Sequence, residues 1–345
     1  MSVDWDDYLN TPAGSYCECH RQCQDCFQHE LKNLQRIIQH RKPQVVACLG
    51  AGVLNDIPYR TLVLSGATVH LVDWLPGSLE SGIDQSIMTS DEAGKPQCVY
   101  CDQQVSCPEA YCAGYRKAKT LPAPVCDAFV PLPGNPLRCA AFRSSERPTL
   151  HCEDVTSGYG SAFARGVLDQ LRGVRSWRQA FGRGKALAER VRGRHTPLNI
   201  PAGSAQLVTS SLLLSQFEHE PYDYFSRRAA DLLGPPKEAE EKSLSPMMDK
   251  LRTTLLLNQV EGHCEAIKRI LHPEGLCYMS FEMFHYGTPN GRWFLINAMH
   301  RAMEVVGNHF HFNFNLLEDR DLATRFEVGG TPSIVFHFIL EQKEA

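Results

Sequence analysis

The sequence predicts an α/β protein with a mostly parallel sheet, because it opens with a strand, a helix and a second strand in close succession. The apolar run at 45–49 is typical of a buried strand, and residues 56–64 can form a helix with Asn55 as its N-cap. Alternating residues at 68–72 then predict the second strand. A unit of this kind places its two strands parallel to each other.

The rest of the chain continues to alternate between helices and strands. A helix precedes the first strand, at 27–41, and the segment at 161–195 is mostly helical or loop. The other predicted elements are strands at 149–152, 205–214 and 276–281, helices at 222–233, 247–271 and 292–306, and strands at 309–316 and 333–340. The Gly329-Gly330 turn suggests that the last two strands form an antiparallel pair.

Length and composition indicate a globular protein. The chain has 345 residues, of which 43% are hydrophobic and 21% charged, enough for one large domain with insertions or for two ordinary ones. No apolar run approaches the roughly 18 residues that would span a bilayer. The polar, acidic N-terminus does not resemble a secretory signal. We therefore expect a cytoplasmic protein.

Eight of the 14 cysteines fall into two dense groups. The first group is Cys17, Cys19, Cys23 and Cys26, and the second is Cys98, Cys101, Cys107 and Cys112. The second group lies in a segment at about 75–147 that is rich in Pro, Gly and Cys, which we interpret as an insertion between two strands. In a reducing compartment such clusters more often bind a metal than form disulfides. Structural zinc is the default, with an iron–sulfur cluster or a thiol trap for a soft metal as alternatives, in one shared site or two.

A glycine-containing turn joins the first predicted strand to the first helix. Gly50 and Gly52 could let a ligand contact the backbone, and Asp73 ends the next strand, where a carboxylate can bind both hydroxyls of a ribose. A dinucleotide-binding loop would read G-x-G-x-x-G, but residue 55 is Asn, and no P-loop lysine is present. With only two glycines, the loop suits a nucleoside ligand that lacks a pyrophosphate.

These stretches resemble the motifs of the class I S-adenosylmethionine-dependent methyltransferases. VVACLGAG resembles motif I, and VHLVDW resembles the next strand with its ribose-binding acid. LHCEDVTSG resembles the third-strand motif, and AQLVTSSLLLSQ resembles the fourth strand. The final two strands resemble the closing antiparallel hairpin of the family, whose last strand inserts beside its neighbours. The resemblance covers about 43–340 except the insertion. It implies a Rossmann-like, seven-stranded, mostly parallel sheet with an antiparallel C-terminal hairpin and helices on both faces.

We therefore expect two regions in the chain. Residues 1–42 form a cysteine-rich N-terminal segment and a helix, and residues 43–345 form one methyltransferase domain that carries the insertion. The resemblance also implies the residues that bind S-adenosylmethionine. They are Gly50, Gly52, Asp56, Asp73, Trp74, Asp154, Val155 and Ser210.

Within this set, the resemblance places Asp154 to reach the adenine amine, and Asp56 could reach the methionyl amine. Three departures from the family pattern stand out. Cys48 occupies the position of a usual acid, Leu54 replaces the third glycine, and no Asn-Pro-Pro-Tyr follows the fourth strand. The last of these argues against the amino-methylating nucleic-acid and glutamine enzymes that depend on that sequence.

Methyl transfer is an in-line displacement on the sulfonium methyl group, in which the protein mainly aligns the donor and the acceptor. A base is needed only when the acceptor arrives protonated. The candidates follow the fourth and fifth strands, where they would lie over the ligand crevice. They are Ser215, Gln216, Glu218, His219, Glu282 and His285.

We expect a small-molecule acceptor, because no recognisable RNA-binding module accompanies the fold. The segment 165–194 nevertheless carries nine Lys/Arg residues against two acids, together with Trp177 and Phe181. Such a stretch could follow a phosphate backbone with aromatic rings stacked on bases, which would favour an RNA methyltransferase. It could equally be a solvated, arginine-rich helix pair. A third alternative is a non-enzymatic metal-binding protein on a methyltransferase scaffold. The sequence does not indicate the oligomeric state.

Overall fold

The computed structural model describes residues 5, 27–52, 54–74, 78–79, 82–83, 88–90, 96–98, 131–132, 135–139, 148–193, 195–287, 292–296, 298–328 and 331–343. Seven of the eight cysteines predicted to bind a metal lie outside these ranges, and the eighth, Cys98, ends a short strand. The predicted metal sites therefore stay a prediction. Within the described ranges, no helix combines the length and the apolar character that crossing a membrane requires.

The helices and strands follow one another as the alternating pattern predicts. The helices are α1 (Gln28–Arg41), α2 (Tyr59–Leu64), α3 (Tyr159–Leu171), α4 (Trp177–Val191), α5 (His219–Leu233), α6 (Glu238–Ile270) and α7 (Met299–His309). The strands are β1 (Val45–Leu49), β2 (Thr68–Asp73), β3 (Met88–Ser90), β4 (Pro96–Cys98), β5 (Pro131–Leu132), β6 (Asn135–Cys139), β7 (Thr149–Cys152), β8 (Ala205–Ser211), β9 (Leu271–Gly287), β10 (Arg292–Leu295), β11 (Phe310–Asn313), β12 (Ala323–Val328) and β13 (Thr331–Gln342).

Nine of the described strands form one sheet with the order β11-β13-β9-β8-β1-β2-β7, to which β10 and β12 are attached at the edges of β9 and β13. The strands β7, β2, β1, β8 and β9 are parallel. The last strand, β13, lies antiparallel between β9 and β11. The predicted Rossmann-like α/β fold is confirmed, including the insertion of the last strand beside its neighbours. Among the described residues the sheet has nine strands where seven were predicted, because β10 and β12 are added to the seven of the main order.

Residues 292–306 differ from the prediction of a single helix. Residues 292–295 form β10, and α7 begins only at Met299. The strand β10 pairs with the end of β9, which runs on well beyond the predicted 276–281. Tyr286 and Trp293 face each other across this pair, with ring centroids 5.2 Å apart. Cross-strand aromatic contacts of this kind stabilise a strand that local periodicity does not reveal.

The C-terminal pairing differs in its connection. The predicted antiparallel pairing of 309–316 with 333–340 is confirmed, as β11 with β13. However, the strands that flank Gly329 and Gly330 are β12 and β13, and the sequence analysis did not predict β12. Its last four residues, RFEV, alternate polar and apolar side chains, which is a short strand signal.

The sheet is covered by helices on both faces, as expected. On one face α1 packs Leu34, Ile37 and Ile38 against β1, β2 and β9. On the other face, α6 and α7 cover β8, β9 and β13. A third apolar cluster joins α3, α4 and α5 to α6 and contains Trp177 and Phe181. The long helix α6 therefore contacts both the sheet and the outer helices.

Candidate functional site

A pocket lies at the carboxyl ends of the parallel strands. It sits where the strand order reverses, because β1 has β2 on one side and β8 on the other. Open α/β sheets bind ligands at such a point, where connections leaving to opposite faces open a crevice. The pocket is lined by Gly50 after β1, Asp73 and Trp74 at β2, Val155 and Thr156 after β7, Leu213, Gln216, Phe217 and Glu220 after β8, and Gln259 of α6.

The loop after β1 has left-handed backbone at both glycines, with φ of +67° at Gly50 and +47° at Gly52. A Cβ atom at Gly50 would lie 2.2 Å from Cδ2 of Leu213, whereas at Gly52 the nearest heavy atom would be 3.9 Å away. Gly50 is therefore required by conformation and by packing, and Gly52 by conformation alone. Leu54, at the position of the third family glycine, keeps the left-handed conformation, with φ of +62°.

Asp73, the last residue of β2, turns its carboxylate toward this loop. Its Oδ2 accepts a hydrogen bond of 2.9 Å from the Gly52 N–H. The neighbouring Ala51 N–H donates to the Val72 carbonyl at 3.0 Å, which fixes the loop against the end of β2. An ionised carboxylate can accept about four hydrogen bonds. The bond from Gly52 therefore orients the Asp73 carboxylate and leaves it able to accept further hydrogen bonds.

Asp56 and Cys48 do not line this pocket. Burial raises the pKa of the Asp56 carboxyl to about 7, against the effect of the nearby Ser211 hydroxyl, and the Asp73 charge raises it further. Cys48, at the position of a usual acid, is fully buried, and burial raises the pKa of its thiol to about 12. Cys48 is thus a protonated, apolar residue of the core. The role of Asp56 toward a methionyl amine stays a prediction.

Asp154 uses both carboxylate oxygens within the protein. Oδ1 accepts from the backbone N–H and the hydroxyl of Thr156, at 2.8 and 2.5 Å, and Oδ2 accepts from the Ser161 N–H at 2.9 Å. These bonds close the turn after β7 and cap the first turn of α3. It is the two following residues, Val155 and Thr156, that reach the pocket.

Ser210 is also engaged inside the protein. It is fully buried, and its hydroxyl lies 2.8 Å from Nε2 of His263, whose Nδ1 lies 2.8 Å from the Val155 carbonyl oxygen. A carbonyl oxygen only accepts, so Nδ1 carries the proton and Nε2 accepts from Ser210. Burial lowers the pKa of His263 to about 4, which keeps the ring neutral. Ser210 therefore connects the end of β8 to the pocket wall through His263.

Four of the six candidates form a polar chain that begins at the pocket. The amide of Gln216 donates to the Ser215 hydroxyl at 3.3 Å, and that hydroxyl donates to Oε2 of Glu282 at 3.3 Å. Nε2 of His285 lies 3.5 Å from the same carboxylate oxygen. Burial acts to raise the pKa of Glu282, but the hydrogen bond and charge of His285 outweigh it and hold the pKa below its usual value. Glu282 is thus ionised at neutral pH and able to accept a proton.

The other candidate bases are less well placed. Glu218 is buried and pairs with the Arg252 guanidinium at 3.2 Å. His219 begins α5 and is exposed. Neither residue lines the pocket described above.

Sequence reasoning missed five of the pocket-lining residues: Thr156, Leu213, Phe217, Glu220 and Gln259. Gln259 is completely buried, as are Leu255 and His263, one turn before and one turn after it on α6. A polar residue on the buried face of a predicted amphipathic helix is the signal that could have revealed it.

Among the described residues, no group of three or more His, Cys, Asp or Glu side chains could hold a metal ion. No protein-family model matches the chain, and no curated protein matches it. Among solved structures, the crystal structure of the PH0226 protein from Pyrococcus horikoshii OT3 matches over 92% of both chains, with a TM-score of 0.35 and 8% sequence identity. This similarity is too low to carry an argument about function, which must therefore come from the site.

Proposed function

We propose that the chain is an S-adenosylmethionine-dependent methyltransferase that acts on a small-molecule acceptor. The observation that supports this most directly is the position of Asp73. Its carboxylate lies at the end of β2, beside the glycine loop, in a pocket at the reversal of strand order. A ribose is the group that such a carboxylate binds in open α/β sheets. The inserted antiparallel strand β13 agrees with the family resemblance.

Two residues that line the pocket carry buried polar atoms that could pair with a nucleoside. These atoms, Nε1 of Trp74 and Oε1 of Gln259, have no hydrogen-bond partner among the described residues. Buried polar atoms are normally paired, so these two are suited to a polar ligand.

In this proposal S-adenosylmethionine, when bound, supplies an electrophilic methyl group. Asp73 holds the ribose and the glycine loop holds the adjoining chain, which aligns donor and acceptor for an in-line displacement. The polar chain of Gln216, Ser215 and Glu282 leads away from the pocket toward His285. Glu282 would take the proton of an acceptor that arrives protonated, with Ser215 and His285 as its partners.

For the first alternative, methyl transfer to RNA, one argument was that aromatic side chains in the basic segment could stack on bases. Trp177 and Phe181 are only 5% and 3% exposed, and they stack on each other in the core. They are thus not available to bases. Of the basic residues, Arg183 donates its guanidinium to the carbonyls of Gln170 and Arg172 at the end of α3. The pair α3–α4 therefore fits an arginine-rich, solvated helix pair.

The experiment that tests the proposal is calorimetry with S-adenosylhomocysteine on metal-replete protein. We expect wild-type protein to bind, and Asp73→Asn to bind about 10 to 100 times more weakly, since a charge-assisted hydrogen bond contributes about 1.5 to 3 kcal/mol. Asp169→Asn changes an exposed carboxylate on α3 and should leave binding unchanged. Failure of the wild-type protein to bind would instead favour a non-enzymatic metal-binding protein, the second alternative.

A further inference from the structure

The side chain of Gln259 is held so that its amide oxygen makes no hydrogen bond to the described residues. Its side chain is completely buried and lines the pocket. The amide nitrogen lies 2.5 Å from the Phe217 carbonyl oxygen and 3.4 Å from that of Leu255. Carbonyl oxygens only accept, so the nitrogen must face them, and this fixes the amide orientation. The oxygen, Oε1, is left without a partner among the residues that the structure describes.

Trp74, which also lines the pocket, carries a hydrogen-bond donor. Its Nε1 is buried and has no partner among the described residues. The indole is held edge-on by Trp5, with ring centroids 5.5 Å apart. A Cβ atom at Gly160 would lie 3.0 Å from Oε1 of Gln259 and 2.8 Å from Cη2 of Trp74. The two side chains therefore meet over Gly160, where any other residue would collide with both.

An acceptor and a donor on two neighbouring side chains complement the edge of adenine. That edge presents an exocyclic amine, which donates, next to a ring nitrogen, which accepts. Hypoxanthine has a carbonyl oxygen in place of the amine, so it would set an acceptor against Oε1 of Gln259. Asp154, the acid that the family resemblance assigns to the adenine amine, has both oxygens occupied in the turn before α3.

We propose that Gln259 and Trp74 recognise the adenine edge of the nucleoside, with Oε1 of Gln259 accepting from the amine and Nε1 of Trp74 donating to the ring nitrogen. This inference rests on the proposed function, because it assumes that the pocket binds an adenosyl group. In this proposal Gln259 determines specificity for adenine, and Asp154 has a structural role in the turn before α3.

The test compares S-adenosylhomocysteine with S-inosylhomocysteine by calorimetry. Wild-type protein is expected to prefer the adenosyl compound by about 100-fold or more, because a site built to hydrogen-bond a group rejects an analogue that lacks it. Gln259→Met, which removes the acceptor, should reduce the preference below about 10-fold. Gln259→Glu should retain the preference, since a buried, protonated Glu keeps a carbonyl oxygen while its hydroxyl donates to Phe217. The ratio of affinities is the readout, because a purely structural defect weakens both compounds alike.

Asp169→Asn, which changes an exposed carboxylate on α3, is the control, and it should leave the preference unchanged. The inference is overturned if wild-type protein binds both compounds equally, or if folded Gln259→Met keeps the full preference. It is also overturned if Asp154→Asn, and not the Gln259 variants, abolishes the preference. Wild-type protein that binds neither compound would overturn the proposed function itself, a result distinct from binding without discrimination.

Discussion

Replacing His263 with alanine is expected to lower the free energy of unfolding by about 3 to 4 kcal/mol at pH 7. The ring bridges Ser210 and the Val155 carbonyl, at 2.8 Å each, and the Phe217 ring packs against it with centroids 5.0 Å apart. Leaving two buried polar groups unpaired costs about 1 kcal/mol or more each. The cavity left by the ring adds about 1 to 2 kcal/mol.

The same residue makes stability depend on pH in a defined direction. Burial lowers the pKa of His263 from its ordinary 6.5 to about 4 in the folded protein. Between these values the unfolded chain binds the proton and the folded chain does not, so stability is complete above pH 6.5 and falls as the pH drops toward 4. At about 1.36 kcal/mol per pH unit, the loss between pH 7 and pH 5 is about 2 kcal/mol.

Urea denaturation followed by circular dichroism, at pH 7 and pH 5, measures both effects. The gap in unfolding free energy between wild-type protein and His263→Ala should shrink by about 2 kcal/mol at the lower pH, because alanine does not titrate. His263→Asn should lie between them, since its amide can still donate to the Val155 carbonyl. A gap that stays constant with pH, or one below about 1 kcal/mol at pH 7, would refute a buried, neutral, doubly bonded His263.

Three further predictions concern other parts of the chain. Gly262→Ala should lower the unfolding free energy by about 2 kcal/mol or more and weaken S-adenosylhomocysteine binding, because its Cβ would lie 2.3 Å from the Thr156 carbonyl oxygen. Gly182→Ala, in α4 with nothing within 4 Å, should instead stabilise the protein by about 0.5 to 1 kcal/mol, and denaturant titration compares the two. Burial raises the pKa of Glu30 to about 8. The unfolded chain therefore loses this proton first, and stability falls as the pH rises from 4.5 to 8. Glu30→Gln should stabilise the protein by about 2 to 4 kcal/mol more at pH 8 than at pH 5. Elemental analysis should find zinc in the purified protein, and chelation should destabilise the protein. Iron together with a visible absorption band would instead favour an iron–sulfur cluster. The absence of both metals would refute the predicted cysteine sites.

The fold could be predicted where a local pattern agrees with the sheet. The run 45–49, VVACL, is buried along almost its whole length and is apolar throughout, which is typical of a strand inside a parallel sheet. The edge strand β10 carries no such pattern, because Trp293 and its neighbours are exposed. Its position depends on pairing with the end of β9, which local sequence does not encode.

The candidate site could be predicted where its residues directly follow a strand. Gly50, Asp73, Trp74 and Val155 all lie on the pocket wall, each immediately or shortly after a predicted strand. The roles of other residues depend on distant contacts. Ser210, for example, is bonded to a histidine 53 positions away in the chain. No motif at position 210 distinguishes a ligand-facing serine from one that is bonded inside the core.

Five consecutive residues of α6, 259–263, position both loops that form the pocket wall. The Gln259 amide donates to the Phe217 carbonyl after β8, and the His263 ring donates to the Val155 carbonyl after β7. Between them the Gly262 carbonyl accepts from the Ser157 hydroxyl at 2.8 Å. Because the rest of α6 is packed into two core clusters, the pocket is shaped by the core itself and not by independent loops. A substitution that moves α6 must therefore change both walls together, so losses of stability along this helix should appear as losses of ligand affinity.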